Sequence, residues 1–195
     1  MGLILASHSP RRKELLERIT PCFSVVDSQV EERRDPAWAV DELPRQLALQ
    51  KALAVSCRFP KDWVIGADTI VALGDTVLGK PRDAADAAAM LRQLSGKTHL
   101  VYTGVAFCRG GKAAFSFVQR TEVEFYPLSE TQIRQYLATG EPFDKAGAYG
   151  IQGAGGLFVK GIHGDYCNVV GFPLARVSRA LDRLLGEGWQ RRQTL

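Results

Sequence analysis

The chain has 195 residues, 46% of them hydrophobic and 24% charged, with 9 prolines and 19 glycines, a balance typical of a globular protein. Collagen, a coiled coil and a low-complexity tail are excluded, and at this length neither a metal nor a disulfide is needed to hold a fold. Its 25 basic and 21 acidic residues leave a formal charge of +4, which suits a polyanionic small molecule and falls short of the basic stripe of a nucleic-acid binder.

The chain opens with the pattern of a strand, a polar turn and a helix. Residues 3–6 are continuously apolar, as in a strand that is buried on both faces. Ser9 is a good N-cap and Pro10 suits the first helical position, so a helix is predicted to begin there. Its unpaired amide N–H groups, the helix dipole and the hydroxyls of Ser7 and Ser9 together predict an anion site.

Helical and strand-like patterns alternate through the next hundred residues. Proline, glycine and capping residues mark most of the boundaries between them. The predicted elements are a helix over 35–56 that bends at Pro44, an apolar strand over 63–65 that ends at 66–69, a hairpin over 70–78, a helix from Asp83 to Gly96, and strands over 98–127 with a turn at 110–111.

The last third of the chain contains a glycine-rich segment between further predicted elements. Ser129 and Gln132 form a capping-box pattern for a helix that Gly140 closes. Residues 144–156 hold five of the 19 glycines and predict a loop whose backbone approaches another group closely. Short strands are predicted over 157–162 and 166–170, and an amphipathic helix begins at Pro173. Without a repeat or a linker, the simplest organisation is a single α/β unit, with two lobes around a cleft as a variant.

The charged candidates for a site each have a functional and an ordinary interpretation. Arg11, Arg12 and Lys13 lie in the first helical turns, where 3.6 residues per turn spread the three side chains around the axis, so at most one or two of them reach one ligand. Asp68 and Thr69 follow an apolar strand, where open α/β sheets bind ligands, but an aspartate there is also a common turn residue. Other candidates are equally typical of a solvated surface: Glu31, Glu32, Lys51, Lys80, Asp144 and Lys145.

Together these groups supply several cations, a set of carboxylates and two anion sites. That inventory fits a polyphosphate accompanied by a divalent ion, because Mg²⁺ prefers carboxylate and phosphate oxygens and Lys and Arg neutralise the remaining charge. The four cysteines are widely spaced without a C-x-x-C pair, which favours a reducing compartment over a disulfide framework or a zinc site. The apolar run at 2–6 is too short for a signal peptide, so the cytoplasm is expected.

The segment at 3–16 resembles the start of the Maf family of nucleoside triphosphate pyrophosphatases, earlier described as septum-formation inhibitors. His8 departs from the family pattern, in which a small residue is commoner. Five more segments resemble family blocks in the same order, and a set of ordered blocks is more specific than any one of them. They are 66–69 (Gly-Ala-Asp-Thr), 79–81 (Gly-Lys-Pro), 94–96 (Leu-Ser-Gly), 144–153 (Asp-Lys-Ala-Gly-Ala-Tyr-Gly-Ile-Gln-Gly) and 170–174 (Val-Gly-Phe-Pro-Leu).

The resemblance implies a fold and a reaction. The expected fold is α/β, with a mixed twisted sheet, flanking helices and two lobes around a central cleft, similar to inosine triphosphatases and forming one domain over 1–195. The expected reaction is hydrolysis of a nucleoside triphosphate to the monophosphate and pyrophosphate by metal-assisted attack of water on the α-phosphorus. Mg²⁺ or Mn²⁺ is the implied cofactor and the nucleotide the implied partner. A homodimer is compatible with the resemblance, and no membrane or stable nucleic-acid partner is expected.

The resemblance also implies a role for each matching residue. Asp68 would be the general base, and Glu32 would bind the metal together with Asp68 or position the water. Lys80 is grouped with these two as a catalytic residue that contacts phosphate. The implied substrate-binding residues are Ser7, Arg11, Arg12, Lys51, Thr69 and Gln152.

Three of these positions bear on the substrate. Arg11, Thr69 and Gln152 match the branch of the family that acts on dTTP and UTP. The amide of Gln152 offers the donor and the acceptor that the imide edge of thymine or uracil requires. Two alternatives stay open: the same reaction on 7-methyl-GTP, and a non-catalytic nucleotide or nucleic-acid binder that inhibits cell division.

Overall fold

The computed structural model describes residues 2–187 and residue 189. Within them, the strands are β1 (Leu3–Ala6), β2 (Ser24–Val25), β3 (Trp63–Leu73), β4 (Thr76–Leu78), β5 (Thr98–Arg109), β6 (Lys112–Phe125) and β7 (Val159–His163). The helices are α1 (Pro10–Glu17), α2 (Leu43–Arg58), α3 (Ala84–Leu94), α4 (Glu130–Leu137), α5 (Tyr166–Val170) and α6 (Leu174–Leu185). Short 3₁₀ segments occupy Glu141–Asp144, Ala146–Ala148 and Ala154–Phe158.

The strands form one mixed sheet in the order β2-β1-β3-β5-β6-β7, with β4 paired to β3. β1 is parallel to β2 and β3, whereas β4 is antiparallel to β3 and β7 is antiparallel to β6. The predicted α/β fold with a mixed sheet and helices is therefore confirmed. None of the helices in the described part of the chain is long and apolar enough to cross a membrane.

The chain divides into two compact units, and β3, β5 and β6 contribute residues to both. The first unit contains the chain up to Asp68, residues 103–119 and the chain from Gly171 onward. The second unit contains residues 69–102 and 120–170. A single domain over 1–195 and a cleft between lobes stay predictions.

The core of the first unit forms where α2 packs on the parallel strands. Val64 of β3 and Ala48, Ala52 and Val55 of α2 are fully buried in it. A Cβ atom at Gly66 would collide with the Ala48 carbonyl and lie 2.9 Å from the Ala52 Cβ. Glycine at this position therefore lets the α2 backbone approach β3 directly.

The core of the second unit is rich in aromatic rings. Phe125 lies at its centre, with ring centroids 4.8 Å from Tyr149 and 6.0 Å from Phe158. The His99 ring, 1% exposed, packs edge-on 4.9 Å from Phe125, and its Nε2 atom is 2.8 Å from the Tyr149 hydroxyl. Helix α3 adds Leu91 and Leu94 to the same core.

Most of the predicted caps and turns are observed. The Asp83 side chain accepts the Asp86 N–H at 2.8 Å, and Ser129 and Gln132 form the reciprocal capping box of α4. The hairpin of β3 and β4 turns at Gly74, which has a φ of +58°. Pro173 directly precedes α6. Each of these signals is local, because a few neighbouring residues determine it.

Two predicted boundaries and one predicted element type are wrong. Trp63–Leu73 is one strand instead of a strand and a separate hairpin arm, because β1 pairs with its first half and β4 with its end. Helix α2 begins at Leu43, not near 35, since Pro44 fits the first turn, where no N–H is needed. Tyr166–Val170 is a helix, not a strand. There the Asp165 carboxylate accepts the Cys167 N–H at 2.8 Å. This local hydrogen bond favours a turn at the start of the segment, although the β-branched valines favour a strand.

Burial of His99 predicts a pH-dependent stability. Burial lowers the pKa of His99 from 6.5 to about 4, and no described residue accepts a hydrogen bond from its buried Nδ1 atom. Between these values the unfolded chain binds the proton and the folded chain does not. The free energy of unfolding therefore has its full value above pH 6.5 and decreases as the pH drops toward 4. At pH 4 the loss is about 3 kcal/mol.

We expect His99→Gln to remove this part of the pH dependence, as measured by urea unfolding between pH 7 and pH 4. His163→Gln, at an exposed histidine, is the matched control and should keep the dependence of the unsubstituted protein. Equal slopes for His99→Gln and the unsubstituted protein would contradict the assignment.

Candidate active site

The predicted anion site at the start of α1 has the local geometry that its sequence indicates. Ser9 is the N-cap, and its hydroxyl accepts the Arg12 N–H at 3.5 Å. The Ser7 hydroxyl accepts the Ser9 N–H at 3.3 Å and so orders the turn that precedes the helix. Backbone N–H groups of the first turn and a helix N-terminus favour an anion at this position.

Arg12 joins this turn to the segment that precedes α6. Its Nε atom donates to the Gly171 carbonyl at 3.0 Å, and its Nη1 atom donates to the Ser7 hydroxyl at 3.2 Å. Desolvation lowers the pKa of Arg12, and the charge of Arg11 lowers it further, whereas the carboxylates of Asp68 and Glu32 raise it. Arg12 stays cationic at neutral pH because guanidinium loses its proton only in strong base.

Lys51 joins two of the predicted carboxylates. Its Nζ atom donates to the Asp68 Oδ1 atom at 2.5 Å and lies 2.8 Å from the Glu32 Oε1 atom. The side chains of Lys51 and Asp68 are only 15% and 14% exposed, and that of Glu32 is 35% exposed. The ammonium group attracts both carboxylates and so holds the two acids on the same side chain.

The sheet register explains why residues distant in sequence meet here. β1 and β3 are parallel, and Ala6 lies opposite Gly66. Ser7 and Asp68 therefore follow paired strand positions at the same edge, with α2 supplying Lys51 from one side. Ser7, Arg12, Glu32, Lys51 and Asp68, all predicted from the sequence, belong to this one site in the first unit.

The two acids are a suitable donor set for a hard divalent cation. No group of three or more His, Cys, Asp or Glu side chains suited to a metal occurs within residues 2–187 and 189. Mg²⁺, however, is commonly held by one or two carboxylates, with substrate phosphate oxygens and water as its other ligands. Glu32 and Asp68 fit that pattern, because both carboxylates contact the same lysine.

Of the remaining predicted residues, Arg11 lies in the first turn of α1 in the first unit, and the others lie in the second unit. Lys80 is exposed, and the carbonyl of the preceding Gly79 accepts the Gly147 N–H at 3.0 Å, which brings Lys80 to the glycine-rich loop. Gln152 is exposed in that loop. Thr69 directly follows Asp68 in β3, although the chain is divided between the units at this point.

Sequence reasoning missed two groups of contacts around these residues. The hydrogen bond between Arg12 and Gly171 joins residues that are 159 positions apart in the sequence. The one feature of the sequence that points to it is that both residues lie in segments resembling the family. Glu141 accepts two backbone N–H groups of the glycine-rich loop, from Ala154 and Gly155. Nothing in the pattern around Glu141 distinguishes it from a surface acid.

Comparisons with known proteins agree on one family. Residues 2–184 match the sequence profile of the family described as Maf-like protein. A dTTP/UTP pyrophosphatase of a Geobacillus species is 50% identical over 96% of this chain and 98% of its own length. A dTTP/UTP pyrophosphatase of Bacillus cytotoxicus is 54% identical over 91% of this chain and 93% of its own length.

A solved structure resembles the fold at low sequence identity. The HAM1 protein of Coxiella burnetii is 12% identical, with a TM-score of 0.51, over 93% of this chain and 98% of that one. At this identity the likeness bears on the fold alone, and it agrees with the mixed sheet and its flanking helices.

Replacement of Arg12 by lysine should weaken the link between α1 and the segment before α6. One ammonium group cannot reproduce the divergent Nε and Nη1 donors. The hydrogen bond to the Gly171 carbonyl or the one to the Ser7 hydroxyl is therefore lost. We expect Arg12→Lys to lower the free energy of unfolding by about 1–2 kcal/mol, measured from the urea midpoint at constant slope.

Arg18→Lys is the control for this substitution. Arg18 directly follows the same helix and forms an exposed ion pair with Glu14 at 3.1 Å. Its replacement should change the free energy of unfolding by less than about 0.5 kcal/mol. Equal losses in the two variants would mean that the Arg12 contacts contribute nothing specific.

Proposed function

Because the chain belongs to the Maf-like protein family, we propose that it hydrolyses dTTP and UTP to the corresponding monophosphate and pyrophosphate. The chain is an enzyme, a nucleoside triphosphate pyrophosphatase or nucleotide diphosphatase. The names of relatives that are at least 50% identical over more than nine-tenths of the chain support this assignment. Removal of unwanted nucleotides from the cellular pool is the corresponding role.

The observation that carries the proposal is the ion-pair cluster of Lys51 with Asp68 and Glu32. A carboxylate held at 2.5 Å by a largely buried ammonium group has a fixed orientation. Such a group suits the orientation of a water molecule, as a general base must do. The helix start and Arg12 in the same unit supply the complementary groups for phosphate oxygens.

The hydrolysis needs no covalent intermediate. Water attacks the α-phosphorus, a new P–O bond forms, and the bond from the α-phosphorus to the bridging oxygen of pyrophosphate breaks. Asp68 accepts the proton of the attacking water, and Lys51 compensates the charge of Asp68 before that transfer. Negative charge develops on the pyrophosphate, and fixed cations stabilise it.

The phosphate-binding role is divided among several side chains. Ser7, Arg11 and Arg12 surround the start of α1 in the first unit, and Lys80 belongs to the second. Arg12 is already fixed by Gly171 and Ser7, so little side-chain entropy is lost when it binds an anion.

Glu32 and Asp68 would hold the divalent cation, Mg²⁺ or Mn²⁺. When bound, this cation supplies Lewis-acid polarisation of phosphate oxygens and a lower pKa for a coordinated water. The resemblance to the family further supports a cytoplasmic location and a homodimer.

Selection of the base is assigned to Gln152, and the resemblance to the family implies Thr69 as a second contact. A carboxamide presents one acceptor and two donors, which match the carbonyl and the N3–H of thymine or uracil. A substrate profile tests the proposal. With Mg²⁺, pyrophosphate release should be fastest from dTTP and UTP, and slower from dCTP, dGTP, dATP and 7-methyl-GTP.

In the same profile, Gln152→Ala should reduce the preference for dTTP over dCTP by about tenfold, because the lost hydrogen bonds to the base are worth roughly 1.4 kcal/mol. Release from none of the nucleotides by the unsubstituted protein would refute the pyrophosphatase. A first rank for 7-methyl-GTP would refute the assignment of the base.

Asp68→Asn should abolish most turnover while dTTP still binds. The substitution removes the charge and keeps the volume, and Lys51 retains its contact with Glu32 at 2.8 Å. We expect kcat to fall by roughly 10²–10⁴-fold, the usual contribution of a general base. Calorimetric titration with dTTP measures the retained binding.

Asp41→Asn, at an exposed residue before α2, is the matched control and should leave turnover unchanged. Comparable turnover in Asp68→Asn and the unsubstituted protein would show that the base lies elsewhere.

A further inference from the structure

We propose that Glu141 is the positioning residue for Gln152, and that its carboxylate holds the loop in the conformation from which the Gln152 amide reaches the base. The inference rests on the proposed function, since it assumes that Gln152 contacts the base. Glu141 lies eleven positions before Gln152, in the 3₁₀ segment that follows α4. Both residues belong to the second unit.

The Glu141 carboxylate accepts three hydrogen bonds. Its Oε2 atom accepts the Ala154 N–H at 2.9 Å. Its Oε1 atom accepts the Tyr136 hydroxyl at 2.8 Å and the Gly155 N–H at 3.3 Å. Bonds to an ionised acceptor are stronger than those between neutral groups, so this side chain is a firm anchor for the loop after Gln152.

Tyr136 extends the anchor to the loop before Gln152. Its hydroxyl donates to Glu141 and accepts the Gly150 N–H at 3.1 Å. Burial and the Glu141 carboxylate raise the pKa of Tyr136, so the hydroxyl keeps the proton that it donates. Gly150 and Ala154 are therefore tied to the same carboxylate, one through Tyr136 and one directly.

Gln152 lies in a tight turn between these two attachment points. The Gly153 N–H donates to the Gly150 carbonyl at 3.3 Å, which places Gln152 third in a four-residue turn. The side chain is exposed and the backbone on either side of it is fixed. Such an arrangement presents an amide to a ligand with little loss of backbone entropy on binding.

The main chain around Glu141 is fixed as well. The Lys145 Nζ atom donates to the Glu141 carbonyl at 2.7 Å and to the Asp144 carboxylate at 2.5 Å. The Lys145 side chain is 15% exposed. The carboxylate therefore extends from a backbone that is itself held in place.

The contact between the Glu141 carboxylate and the loop explains the glycine at 153. A Cβ atom there would collide with the Glu141 carboxylate. The close backbone approach that the glycine-rich sequence predicts is thus, at this position, an approach to a side chain of the protein itself. Glycine at 153 lets the loop close over Glu141, and Glu141 then bonds the next two backbone N–H groups.

Contact with the base requires such an anchor. The Gln152 carboxamide reaches the carbonyl and the N3–H of thymine or uracil only from a limited range of distances and angles. The half-turn that would present the amide to cytosine is a rotation within the side chain. The anchor therefore determines how well Gln152 reaches the base, not which pyrimidine it selects.

Glu141→Gln tests the inference, because it keeps the volume and places an NH₂ donor against groups that already donate. We expect kcat/KM for dTTP to fall by about tenfold through a higher KM, with kcat unchanged, since a displaced contact costs alignment with the base. Amide hydrogen exchange at Gly150, Ala154 and Gly155 should become faster. A purely structural defect would instead lower kcat.

Glu130→Gln is the matched control. Glu130 forms an exposed, two-pronged ion pair with Arg92, with both distances at 2.7 Å, so the same carboxylate-to-amide change is made away from the loop. It should leave both the KM for dTTP and the exchange at the three loop amides unchanged. Tyr136→Phe is the second variant, and it should speed exchange at Gly150 even if Glu141→Gln does not fold.

The outcomes separate this inference from the proposed function. If the unsubstituted protein hydrolyses no nucleotide, the proposed function fails, and amide exchange still decides whether Glu141 anchors the loop. If Glu141→Gln and Tyr136→Phe exchange like Glu130→Gln, the anchor is refuted. If exchange rises in Glu141→Gln while the KM for dTTP stays constant, the anchor does not position Gln152 for the base and the inference is overturned.

Discussion

The contact of one ammonium group with two carboxylates is the interaction on which the candidate site depends. Lys51 reaches both Asp68 and Glu32 from α2, and each acid is contributed by a different part of the first unit. Without a cation between them, the two negative charges would repel each other. The lysine therefore holds both carboxylates in place, for a water molecule and for a divalent cation.

The position of that lysine follows from backbone packing. The absence of a side chain at Gly66 brings α2 against β3, and the parallel register of β1 and β3 brings Ser7 to the same edge as Asp68. Arg12 then connects this edge to Gly171, at the start of the segment before α6. Phosphate-binding and hydrolytic groups thus share one rigid support, in which a ligand meets side chains that are already oriented.

The sequence allowed prediction of those features that a few neighbouring residues determine. The helix start at Ser9, the capping box at Ser129 and the hairpin turn at Gly74 are of this kind. Pattern alone did not reveal that Trp63–Leu73 is continuous, because two different partner strands pair with its two ends. The Glu141 anchor was equally invisible, since its hydrogen bonds join residues whose spacing has no characteristic period. The resemblance to the Maf family identified the members of the site, and only the fold supplies their contacts.

The continuity of β3 restricts how such a protein changes over evolutionary time. Asp68 and Thr69 are consecutive in an eleven-residue strand, so their side chains leave the backbone toward opposite faces of the sheet. Gain or loss of a single codon upstream of them within β3 would exchange those faces and turn the acid away from its lysine. An amino-acid replacement at either position leaves this register intact, whereas an insertion or deletion in the strand moves every side chain that follows it to the other face.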